Sequence, residues 1–89
     1  MSLDEFRAHL DMIDTQLMTL LSQRAQVVLQ VADYKRQHNL PVHIPEREEA
    51  IVARLCAMNP GPLSGEAVAR IYQVVIEEMR KFEGEHIAP

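Results

Sequence analysis

Charged side chains that fall inside an apolar helical stripe are the informative ones, because burying a charge without a partner costs several kcal/mol. Four positions of this chain fit that description. Arg24 follows Leu20 by four residues and Leu17 by seven, and Lys35 follows Val31 by four and Val28 by seven. Glu48 precedes Ile51, Val52 and Leu55 by three, four and seven, while Glu83 follows Met79, Ile76 and Tyr72 by four, seven and eleven. Each charge therefore points the same way as its apolar neighbours. Arg24 and Lys35 stand about 20° apart in azimuth and about 16 Å apart in height, a gap that two long side chains close around a small anion. Taken singly, such residues are stem-buried or paired charges that fix helix register. Two inward cations and two inward carboxylates together predict a pocket for a polar, anionic small molecule.

The elements that must position these residues are helical. Ser2 to His38 contain neither Pro nor Gly, and apolar residues recur by threes and fours from Leu3, Phe6, Leu10 and Ile13 to Val28 and Val31. A first helix is predicted over 2–38, with Ser2 as N-cap and Asp4 and Glu5 in the first turn. Pro41 disfavours helix at Leu40, and Asn39 suits a left-handed C-terminal position. Pro45 opens a second helix over 45–58, and Asn59-Pro60-Gly61-Pro62 breaks it. Ser64 caps a third over 64–83, leaving a frayed tail at 84–89. The expectation is one all-α domain of three helices across residues 1–89.

A first helix of about 35 residues is about 52 Å long, whereas a compact chain of this size has a radius of gyration of about 12 Å. Its apolar stripe runs the full length, so the overhang needs a cover, and a second copy of the chain supplies one. An obligate dimer is predicted. Arg7 lies about 25 Å from Arg24 along the same helix and cannot share a small ligand with it. In an antiparallel dimer, Arg7 of one protomer completes the site of the other.

Composition narrows the function. Thirteen acidic against nine basic residues give a net charge of −4, which offers nucleic acid no electrostatic footprint. The single Cys56 cannot form an internal disulfide, and His9, His38, His43 and His86 lack metal-ligand spacing. No apolar run is long enough to span a bilayer and the charged N-terminus has no signal-peptide core, so a cytoplasmic protein without membrane or nucleic-acid partners is expected. Tyr34 and Tyr72 read as packing residues with wet hydroxyls.

Four segments carry a resemblance: F-R-x-x-L-x-x-I-D-x-x-L-x-x-L-L-x-x-R, V-A-x-Y-K, L-P-V-x-x-P-E-R-E-E and R-I-Y-Q-V-V-I-E-E. In this order they resemble the helical, AroQ-type chorismate mutases along nearly the whole chain. The resemblance implies an intertwined homodimer of three-helix chains with two equivalent sites, converting chorismate to prephenate by a Claisen rearrangement without metal or cofactor. It also implies that Arg24, and Arg7 from the other subunit, grip the substrate's two carboxylates. Lys35 would donate to the ether oxygen and a carboxylate, Glu48 would accept from the ring hydroxyl, Arg47 would support the electrostatics, and Glu83 would face the ether oxygen.

Two positions depart from the family pattern. Ile44 stands where many relatives carry Asp, removing a helix N-cap and a possible contact to the substrate hydroxyl. Met79 stands where some carry Ser, removing a hydrogen bond to a carboxylate. Glu83 would have to be protonated to donate to the ether oxygen, so activity should be best at acidic pH. Two other functions fit the same scaffold: an isochorismate-pyruvate lyase, and a non-catalytic dimerisation or regulatory module whose inward charges only set helix register.

Overall fold

The computed structural model describes residues 1–87 and contains three helices: α1 (Leu3–Gln37), α2 (Pro45–Met58) and α3 (Gly65–Ile87). Ser2 caps α1 through a capping box: its hydroxyl accepts from the Glu5 amide, while the Glu5 carboxylate accepts from the Ser2 amide. Such a box satisfies two helix-end donors that would otherwise lack partners. At the other end Asn39 adopts φ 55, the left-handed conformation that turns the chain out of the helix ahead of Pro41. Pro45 opens α2 behind Ile44, which makes no side-chain cap hydrogen bond, as expected of an apolar residue there. The Ser64 hydroxyl accepts from the Ala67 amide and so caps α3.

The end of α3 departs from the sequence reading. A frayed tail from Gly84 was expected, yet the helix runs on to Ile87. Glycine weakens a helix interior by about 1 kcal/mol, but it ends one only when a positive φ is adopted, and Gly84 does not adopt one. Contacts to α1 hold the last turns in place, including His86 Nε2 at 3.1 Å from Asp33 Oδ1. Residues 88 and 89 of the expected tail lie outside the described residues.

Helix α3 packs on both α1 and α2, while α1 and α2 make no close backbone approach among the described residues. Two side-chain contacts fix the register of α3 on α1: Arg24 with Tyr72 and Lys35 with Glu83, each pair 48 positions apart. A constant separation means that the two helices run parallel. By that register the start of α3, at Gly65, is level with Leu17, so about fourteen residues of α1, or about 21 Å, extend beyond it. The chain is accordingly elongated, 54 × 25 × 15 Å with a radius of gyration of 16.1 Å.

The core is thin. Only Ala32, Ile51 and Ile76 are buried among the apolar side chains, whereas Leu3, Phe6, Leu10, Ile13, Leu17 and Leu20 remain more than half exposed. Among the described residues no helix is long and apolar enough to cross a membrane.

Candidate active site

The three helices leave a cleft of about 360 Å³ over the middle of α3. Helix α1 provides one wall with Arg24, Val28, Val31 and Lys35, and α2 with its preceding loop provides the other with Ile44, Arg47, Glu48 and Ile51. Ile76, Met79, Arg80 and Glu83 of α3 form the floor. Five of the six residues expected at the site thus face one cavity. The sixth, Arg7, does not line it and sits on the exposed overhang of α1.

At one end of the cleft, Lys35 Nζ donates to Glu83 Oε2 at 2.9 Å, to Glu83 Oε1 at 3.3 Å and to the Val42 carbonyl at 2.9 Å. An ammonium has three donors, so all three are engaged in the unliganded chain. Glu83 is 7% exposed, and its burial is tolerable because both its oxygens face that ammonium. The Val42 contact also ties the 38–44 loop to α1 and so sets the approach of α2.

In the middle, Arg24 Nε donates to the Tyr72 hydroxyl at 3.1 Å, with the guanidinium carbon 5.8 Å from the ring centre. Tyr72 was expected only to pack with a wet hydroxyl; instead its hydroxyl accepts from a cleft cation. That contact occupies the edge nitrogen and leaves both terminal nitrogens for a two-pronged grip on a carboxylate.

At the far end Glu48 pairs with Arg80, whose Nη1 is 2.6 Å from Glu48 Oε1, and His43 Nε2 lies 3.6 Å from the same oxygen. The sequence reading missed Arg80. Its signal was present, since Arg80 follows Ile76 by four and precedes Glu83 by three, the spacing that singled out the other charges. Gln73 lies away from this cleft, on the outer groove between α2 and α3.

The charges sort into a simple arrangement. Both carboxylates of the cleft are already paired, Glu83 with Lys35 and Glu48 with Arg80. Among the described residues neither Arg24 nor Arg47 has a carboxylate partner. Two uncompensated guanidiniums in a partly apolar cleft match a guest that carries two carboxylates. Ile44 and Met79 add apolar surface where hydrogen-bonding groups were missing from the sequence pattern.

Comparison with known proteins agrees with this geometry. Residues 6–84 match the family model described as chorismate mutase type II. The chain belongs to that family. It is similar to a bifunctional chorismate mutase/prephenate dehydratase of Aquifex aeolicus, 33% identical over 85 residues, which cover 91% of this chain but 24% of that protein. The chain therefore spans only about a quarter of that longer relative. A chorismate mutase of Methanocaldococcus jannaschii is 28% identical over 86 residues, covering 96% of this chain and 87% of the other. The crystal structure of Helicobacter pylori chorismate mutase in complex with prephenate superposes with a TM-score of 0.89 or nearly so, at 0.88, with 32% identity over 96% of this chain and 92% of that one. The fold and the family are thus the same, and the all-helical class read from the sequence holds.

Proposed function

We propose that this chain is a chorismate mutase, rearranging chorismate to prephenate in a site shared between two copies. The observation that carries the reading is the pair of uncompensated guanidiniums, Arg24 and Arg47, in a cleft that also holds the Lys35–Glu83 pair. Chorismate is a dianion with an ether oxygen between its two reacting parts, and this charge pattern complements it. Family membership and the prephenate bound by the Helicobacter pylori relative point the same way.

The reaction is intramolecular: the ether C–O bond breaks, a C–C bond forms, and no group leaves. It requires no nucleophile, so the chain's task is to fold the substrate into its compact reactive shape and to stabilise charge. Arg24 and the partner subunit's Arg7 hold the two carboxylates, with Arg47 adding positive potential at the cleft mouth. Negative charge grows on the ether oxygen as C–O cleavage runs ahead of C–C formation, and Lys35 donates to it. Because its three donors are engaged in the free chain, substrate entry has to take one of them from Glu83, and the 3.3 Å contact to Oε1 is the weaker. A proton on Glu83 would release Nζ and turn that carboxyl into a second donor.

Support for the shared site comes from the overhang of α1. Six apolar side chains that are about half exposed there gain on the order of 1 kcal/mol each when a second copy covers them. An antiparallel copy also brings its Arg7 alongside the middle of α1, where the cleft lies.

The direct test is an ultraviolet assay of chorismate disappearance with the product identified as prephenate. Isochorismate is run in parallel. Release of pyruvate from isochorismate, with chorismate left untouched, would assign the chain to the lyase chemistry instead.

A further inference from the structure

Arg80 is the one cleft cation with no place in the roles above. It projects from α3 between Ile76 and Glu83, and its Nη1 is 2.6 Å from Glu48 Oε1, the shortest charged contact in the molecule. Both side chains are largely sheltered, Arg80 30% and Glu48 23% exposed. Charge-assisted bonds of this length are strong and directional. His43 reaches toward the same oxygen from 3.6 Å, whereas Glu48 Oε2 has no protein donor among the described residues.

Two consequences follow for a dianionic guest. An unpaired Glu48 would repel it, and a carboxylate on a rotatable stem would present no fixed acceptor. Arg80 removes both difficulties: it cancels the charge and anchors one oxygen, leaving the other directed at the cleft. At α2 this matters more than usual, because Ile44 offers neither a cap nor a polar group at the helix start.

We propose that Arg80 is a positioning residue for Glu48, holding Oε1 so that Oε2 accepts the hydrogen of the substrate's ring hydroxyl. This rests on the mutase reading and extends it to a residue outside the inward-charge pattern that first marked the site.

The test is a double-mutant cycle on the full chain: wild type, Arg80→Met, Glu48→Gln and the double variant, with Arg80→Lys alongside. Circular dichroism and thermal unfolding check that each is folded, and Arg80→Lys serves if Arg80→Met is not. Arg80→Met should lower kcat/KM roughly 10- to 100-fold in the wild-type background. In the Glu48→Gln background, where no charge remains to hold, the same change should cost less than about 3-fold. Arg80→Lys, which keeps the charge but loses the fork, should fall between wild type and Arg80→Met. Equal losses in both backgrounds, or no loss in the first, would overturn the inference while leaving mutase activity established. A wild type without mutase activity would overturn the reading of the site and the inference together.

Discussion

Lys35 and Glu83 stand 48 positions apart in sequence, yet the lysine ammonium faces both carboxylate oxygens, at 2.9 and 3.3 Å, at the inner end of the cleft. The pair ties α1 to α3 at the same register as Arg24 and Tyr72, three turns away. A single ion pair thus holds the fold together and holds the site's principal donor in reserve. Removing Lys35 should affect both roles.

Lys35→Ala should lower kcat by about 10²–10³-fold, the usual consequence of deleting a donor aimed at developing charge. It also leaves Glu83 buried without its partner, which should cost about 1–3 kcal/mol of stability. Stopped or steady-state assays together with denaturant unfolding check both. A folded variant of undiminished activity would remove Lys35 from the mechanism.

Glu83→Gln keeps the shape of the side chain and supplies a donor at every pH. Wild-type activity should be higher at pH 5 than at pH 8, because only protonated Glu83 can donate, while Glu83→Gln should show a nearly flat profile. A wild-type rate that is level across this range, unaltered by the substitution, would show that Glu83 donates no proton-borne hydrogen bond to the ether oxygen.

Tyr72→Phe removes the acceptor of the Arg24 Nε–H and nothing else of consequence. One such hydrogen bond is worth about 1 kcal/mol, so KM for the dianion should rise roughly fivefold with kcat little changed. Thermal stability should be nearly unaltered, since the ring remains. A loss confined to kcat would mean that Arg24 does more than hold the ground state.

Much of this was readable from residue order. Pro45 and the Asn59-Pro60-Gly61-Pro62 run fixed the helix breaks, Ser2 and Ser64 their starts, and stripe periodicity picked out Arg24, Lys35, Glu48 and Glu83, all of which the structure brings to one cleft. The less legible parts depended on partners distant in the chain. Gly84 looked like a stop because its helix-holding contacts reach across to α1, at Lys35 and Asp33. Tyr72 looked like filler because its hydroxyl finds Arg24 only through the parallel register of α3 on α1. Arg80 met the spacing criterion but shares its face with Met79 and Glu83, and only the packing of α2 on α3 pairs it with Glu48.

The account's central claim is that one site is built from two chains. Arg7→Ala and Arg24→Ala should each abolish most activity as pure proteins while remaining dimeric by sedimentation. Unfolded together in equal amounts and refolded, they should regain about a quarter of wild-type activity, because half the dimers are mixed and each mixed dimer carries one intact site. A mixture in which mixed dimers form yet activity stays at the level of the separate variants would contradict a shared site, as would a wild-type chain that sediments as a monomer at micromolar concentration.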